Sequence, residues 1–134
     1  MTWNPNGPQG NESAKIRFDV LPYCAQGGID VGCGPAKVWP QMIGVDSGID
    51  TALFGIAMQP DMRIKDATRL RQFADGSMPC VFSSHLLEHI VDYQAALREW
   101  WRLVEVGGHL ALYLPHADLY PNMGQPGSNP DHKH

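Results

Sequence analysis

The chain has 134 residues, 43% hydrophobic and 18% charged, with a formal net charge of −4. This suffices for one domain with a real core and excludes wholesale disorder. No apolar run approaches the ~18 residues of a membrane span, and the acidic balance argues against a nucleic-acid binder, which needs a basic face.

Residues 1–12, rich in Asn, Gly, Pro and Gln, predict a flexible N-terminal arm. Asn11 or Ser13 then caps a short helix on which Ile16, Val20, Leu21 and Cys24 recur at helical spacing. Pro22 is expected to spoil its C-terminal half. Gly27-Gly28 stops it, and a first strand follows at 28–32. The segment Pro35–Met42 has only eight residues and two prolines. A parallel crossover normally takes a dozen or more, with a helix. This one is therefore expected to be mostly loop, with Trp39 covering the sheet.

A second strand runs from Met42 to Asp46. Thr51–Ile56 fits a helical turn or a short strand equally well. Met62–Lys65 predicts a third strand ending at Asp66-Ala67, Leu70 and Phe73 a short helix, Asp75-Gly76 a turn, and Pro79–Ser83 a fourth strand. The clearest helix spans 93–105, with Asp92 as N-cap. Leu97, Trp100, Trp101 and Val104 form its apolar stripe, and Arg98, Glu99, Arg102 and Glu105 its wet face. One Trp is expected on the sheet and the other at most half exposed. Gly107-Gly108 is the expected left-handed stop. His109–Leu114 is a fifth strand, and 116–134 is loop-like.

Strands alternating with helices or loops imply an α/β fold with a parallel sheet, whose ligands sit at the carboxyl ends of the strands. Gly32–Pro35, Asp46-Ser47, Asp66-Ala67, Ser83–Leu86 and Pro115-His116 all fall on that rim. Asp30-Val31-Gly32-Cys33-Gly34-Pro35 followed by Ile43-Gly44-Val45-Asp46 is a strand, a glycine turn, a strand and a carboxylate. This is how such a sheet holds an adenosine-containing cofactor. A nicotinamide or flavin dehydrogenase fits less well. The third glycine of its fingerprint would fall on Lys37, and its acid belongs ~20 residues on, whereas Asp46 comes twelve after Gly34.

These motifs resemble the class I S-adenosylmethionine-dependent methyltransferases. The resemblance also runs through Asp66-Ala67, Phe82–His89 and Gly107–Leu112, and covers roughly residues 13 to 120 in order. It implies a Rossmann-like three-layer sandwich with about five strands in the order 3-2-1-4-5. The cofactor would be S-adenosylmethionine and the acceptor a small molecule. By position, Asp30 would orient the cofactor's ammonium, directly or through water. The Gly32-Cys33-Gly34-Pro35 backbone would approach its amino-acid part. Asp46, with Ser47, would take the ribose hydroxyls. Asp66 would accept the adenine amino group while Ala67 lets the ring lie flat, an Asx turn being the plain structural reading of Asp66. Ser83, Ser84 and His85 would line the floor near the sulfonium. His85 and His116 are candidate bases, although the reaction requires one only if the acceptor loses a proton.

His85-Leu86-Leu87-Glu88-His89 also matches the H-x-x-E-H spacing, in which two His on one helix face bind zinc. In the methyltransferase setting Glu88 and His89 are structural, and no metal is expected. Two further expectations concern the end of the chain. Such methyltransferases carry two more strands, so residues 13–134 read as a C-terminally truncated domain. Strand five would be an open, apolar edge, inviting a homodimer. A cofactor- or partner-binding domain without turnover is the non-enzyme alternative. Cys24, Cys33 and Cys80 have no CxxC spacing, and Met1–Gly7 lacks the features of a signal peptide. Both point to free thiols in a reducing cytoplasm.

Overall fold

A computed structural model describes residues 12–48, 60–116 and 133. The expected arm up to residue 11, the Asn11 cap, the Thr51–Ile56 segment and nearly all of the loop-like tail lie outside the described residues.

Helix α1, Ser13–Cys24, buries Ser13, Arg17, Val20 and Cys24, one per turn along a single stripe. The helix runs through Pro22, against expectation. Pro22 removes the bond to the carbonyl of Phe18. Both residues face solvent, Phe18 at 78% exposure, so water can take that carbonyl. Ser13 lies inside the helix, and Glu12 stands at the cap position.

Strands β1 (Gly28–Val31), β2 (Met42–Asp46), β3 (Met62–Arg63), β4 (Met78–Ser84) and β5 (Val104–Tyr113) form one sheet in the order β3-β2-β1-β4-β5. Every pairing is parallel. The expected order is thus the observed one. The buried strand β1 is central, with Ile29 opposite Ile43 on one side and Val81 on the other. Gly28 makes this close seam possible. A Cβ there would fall 1.9 Å from the Cys80 carbonyl oxygen, and its φ of 136° excludes most side chains.

The two faces carry separate cores. Ile29, Val31, Val45 and Val81 pack with Leu70, Trp100 and Leu103. On the other face, Val20 and Cys24 of α1 and Val38 and Met42 of the crossover pack with Cys80 and Phe82 of β4. Trp39 lies against this second core, as expected of a helix-free crossover.

Three expectations fail on that first face. Residues around Leu70 and Phe73 form turns, not a helix. The Leu70 N–H is taken by Glu99 Oε1 at 2.7 Å, and Arg102 Nη2 and Nη1 take the carbonyls of Leu70 and Phe73 at 3.0 Å each. Side chains of helix α2 (Tyr93–Leu103) thus replace the bonds a helix would have made.

Second, α2 buries Ala96, Glu99, Trp100 and Leu103, so Glu99 lies inward while Trp101 is 64% exposed. Glu99 tolerates burial because Arg102 pairs with it at 2.8 Å. That bond holds its carboxyl below the usual range. Third, the helix ends at Leu103, before Gly107-Gly108. The carbonyl of Arg102 is met by the Gly76 N–H at 2.8 Å, and Val104 is already extended. Gly107 (φ 80°) and Gly108 instead accommodate an irregularity in β5, where pairing passes from Met78–Val104 to Cys80–His109. The Asp92 cap is present, its Oδ1 accepting the Ala95 N–H at 2.9 Å.

Among the described residues β5 is an edge strand, and no helix is long and apolar enough to cross a membrane.

Candidate functional site

The carboxyl ends of β1 and β2 meet at the center of the rim. Gly32 and Cys33 both donate to the Val45 carbonyl, at 2.8 and 3.2 Å, folding the turn over β2. Gly34 (φ 59°) then donates its N–H to Asp46 Oδ2 at 2.9 Å. Asp46 Oδ1 accepts the Gly48 N–H at 3.0 Å, with the Ser47 hydroxyl 3.5 Å away. Each carboxylate oxygen offers two acceptor sites, so Oδ2 keeps one for a ligand's hydroxyl. A Cβ at Gly34 would meet no protein atom within 4 Å. The backbone there borders open space.

Gly32 has the opposite surroundings. A Cβ there would lie 2.7 Å from Leu86 Cδ2, so the loops after β1 and β4 abut. Cys33 is buried, and burial pushes its thiol well above the usual value, so it stays protonated. Pro35 begins the crossover, half-buried.

Asp30 lies under the turn, fully buried. Its Oδ2 accepts the Val38 N–H at 2.8 Å, while Oδ1 is buried without a hydrogen-bond partner. Burial raises its pKa to about 7, against the lowering effects of the Val38 bond, Lys37 and Arg17. Arg17 completes the arrangement from α1, its Nε donating to the Val38 carbonyl at 2.7 Å. One residue of the crossover, Val38, is therefore held on both sides, its N–H by Asp30 and its carbonyl by Arg17. Lys37, also buried, pairs with Asp61 at 3.0 Å, and Asp61 in turn accepts the Gly44 N–H at 2.8 Å.

Sequence reading missed Arg17 and Lys37. A signal for Arg17 exists, because it falls on the same stripe of α1 as Val20 and Cys24.

The other predicted residues are placed around this junction with varying closeness. Ser83 donates to the Val31 carbonyl at 2.8 Å, tying the end of β4 to that of β1. The Ser84 hydroxyl is buried with no hydrogen-bond partner. His85 has a left-handed backbone (φ 49°), a strained conformation for a non-glycine residue. Its N–H is bonded to the Tyr113 carbonyl at 2.8 Å, and its ring meets that of Tyr113 edge-on. Asp66 is spent locally, as its plain reading had it. Its Oδ1 accepts the Thr68 N–H and hydroxyl at 2.8 and 2.7 Å, which hold its carboxyl below the usual range. Ala67 is half-buried, its carbonyl fixed by the Trp100 indole N–H at 2.9 Å. His116 lies exposed beyond β5.

The zinc arrangement does not form. Only Leu87–His89 is helical, as a single tight turn, and His85 precedes it in left-handed backbone. The two imidazoles therefore share no helix face. Glu88 lies 3.5 Å from His85 Nδ1 and 3.8 Å from His89 Nε2. Among the described residues no group of three or more His, Cys, Asp or Glu could hold a metal ion. Beside this turn a cleft of about 240 Å³ is lined by Leu87, Glu88, Tyr93, Leu114 and Pro115.

Residues 29–112 match the family model described as a methyltransferase domain. The chain belongs to that family. No curated protein matches it. Among solved structures it is similar to a SAM-dependent methyltransferase from Archaeoglobus fulgidus, with 21% identity and a TM-score of 0.59 over 78% of this chain and 52% of that one. It is also similar to the sugar N-methyltransferase KedS8 from Streptoalloteichus sp., at 16% identity and TM-score 0.56 over 87% and 53%. A third is the [4+2]-cyclase SpnF, at 18% identity and TM-score 0.60 over 92% and 54%. At these identities the likeness is one of fold. The methyltransferase-domain chain spans about half the length of the structures it matches.

Proposed function

We propose that this methyltransferase domain binds S-adenosylmethionine at the β1–β2 junction and transfers its methyl group to a small-molecule acceptor. The observation that carries this reading is the Gly34–Asp46 junction. It joins an open glycine backbone to a carboxylate with an acceptor site to spare, on the rim beside the β1–β4 boundary where strand order reverses.

The residues present fit that cofactor. The remaining acceptor site on Asp46 Oδ2 suits one ribose hydroxyl, and a second would displace the long 3.5 Å contact from the Ser47 hydroxyl on Oδ1. The orphaned Oδ1 of Asp30 favours a nearby ammonium, met through water because Asp30 itself is covered. Asp66 and Ala67 flank the adenine end, and Ser83, Ser84 and His85 the methyl end.

Bound S-adenosylmethionine supplies a methyl already activated on a sulfonium. What the chain must add is position and dryness. Arg17 and Asp30 hold the crossover behind the glycine turn, and Leu86 packs beneath Gly32. The cleft of Leu87, Glu88, Tyr93, Leu114 and Pro115 is the place for the acceptor. Its lining suits a mostly apolar molecule, and His85 or His116 takes a proton where the acceptor must lose one.

Calorimetric titration with S-adenosylhomocysteine tests the reading. Micromolar binding is expected, weakened roughly 10- to 100-fold in Asp46→Ala, the loss of hydrogen bonds to a charged group. Binding of NADH in its place would overturn it in favour of a dehydrogenase.

Two context readings accompany it. Cys24, Cys33 and Cys80 are free thiols, which supports a reducing, cytoplasmic setting. The β5 edge supports pairing with a second copy. Sedimentation analysis should then show a dimer that Val106→Lys disperses, and a monomer at all concentrations would remove that idea.

A further inference from the structure

Two buried thiols lie side by side on the α1 face of the sheet, away from the glycine turn. Cys24 is the last residue of α1 and Cys80 sits within β4. Both are fully buried, and their sulfurs are 3.5 Å apart. Cys24's backbone is anchored, its carbonyl accepting the Gly27 N–H at 2.9 Å and the Gln41 side chain at 3.1 Å. The surrounding cluster of Val20, Val38, Met42 and Phe82 shields the pair. Cys33 stands apart, its sulfur against its neighbour Gly34's carbonyl and against Gly44.

We propose that Cys24 and Cys80 form a redox dithiol that hydrogen peroxide closes to an intramolecular disulfide. The sulfurs need approach by only about 1.5 Å to reach bonding distance. The chemistry balances with peroxide alone. The Cys80 sulfur attacks one peroxide oxygen, the O–O bond breaks, and the products are a sulfenic acid and one water. The Cys24 sulfur then displaces the hydroxyl from Cys80, the S–S bond forms, and a second water leaves. Two thiol groups are oxidised and one peroxide is reduced to two waters. Either sulfur can be the donor in the contact between them, so either can attack first, the steps being the same with the two exchanged.

The bond would have a specific reach. The ring it closes, from residue 24 to residue 80, contains β1, β2 and β3 with Asp30, Gly34, Asp46 and Asp66. It would also fasten α1, and with it Arg17, to the sheet. Oxidation would therefore stabilise the whole glycine-turn region by limiting its unfolded states.

The test uses the full chain, treated with hydrogen peroxide or with dithiothreitol, then digested without reduction and read by mass spectrometry. The expected result is one peptide pair joined through Cys24 and Cys80, lighter by two hydrogens. A melting temperature higher by roughly 5–10 °C should accompany it, reversed by dithiothreitol. Cys33→Ser should behave identically, and it leaves both partners untouched. Unreacted thiols at Cys24 and Cys80, separate sulfinic acids there, or a link through Cys33 or between two molecules would each overturn the proposal.

Discussion

The β1–β2 junction and the β5 edge of the same sheet are built by opposite means. At the junction, charged side chains fix backbone. Asp30 and Arg17 hold the N–H and the carbonyl of Val38, Asp46 holds Gly34, and Asp61 holds Gly44. Among the described residues the β5 backbone is paired on one side only, its register slips past Gly107-Gly108, and Val106 is fully exposed. The helix leading into it leaves Trp101 out. Where a ligand must be met, polar side chains over-determine the main chain. Where the sheet merely ends, the chain leaves apolar surface and tolerates irregular pairing. Among the described residues the backbone is therefore fixed most firmly at the proposed cofactor site and least at β5.

Glycines offer the most severe way to test that contrast. Gly28→Ala should cost more than about 4 kcal/mol and leave no folded protein, because its Cβ would run into the Cys80 carbonyl at the β1–β4 seam. Chemical denaturation checks this, and a folded variant with near-normal stability would mean the seam is far looser than described.

A second effect, about 4 kcal/mol across its whole window, is expected at Asp30, and it depends on pH. With its folded pKa raised to about 7, the native state keeps a proton that the unfolded chain releases near pH 4. This one group therefore lowers stability as pH rises from about 4 to 7. Asp30→Asn removes that slope, so its stability relative to the natural protein should climb across the window and level off above it. A difference that stays flat with pH would show that Asp30 is not the buried, proton-holding group described.

The smallest effect sharpens the comparison most. Gly34 and Gly107 both have left-handed backbones, and a Cβ at either would meet nothing within 4 Å. Alanine at each should cost about 1 kcal/mol of stability. Only Gly34→Ala should also weaken S-adenosylhomocysteine binding, by tenfold or more, since only there is the open space a ligand's. Equal binding by the two variants would erase the functional distinction between the regions.

Strand positions and their order were legible because buried parallel strands are apolar runs bounded by glycine and acid. Gly28–Val31 and Met42–Asp46 are the clear instances. The glycine turn and Asp46 were legible for the same local reason. What stayed hidden depends on partners distant in sequence. Glu99 looked like a wet-face residue because nothing local reveals that Leu70's N–H will need it. The Leu70–Phe73 segment looked helical because its apolar spacing is short enough to be satisfied by a turn whose bonds come from Arg102. Gly107-Gly108 marked a break, but of strand pairing, not of the helix.

Trp100 deserves a last inference of its own. It is fully buried, and its indole N–H is committed to the carbonyl of Ala67, the residue proposed to underlie the adenine ring. Its emission should be blue, set apart from that of the exposed Trp101. A base stacking at Ala67 would perturb that hydrogen bond directly. The molecule thus contains its own fluorophore beside the proposed adenine position, and occupancy there should be visible optically without any label.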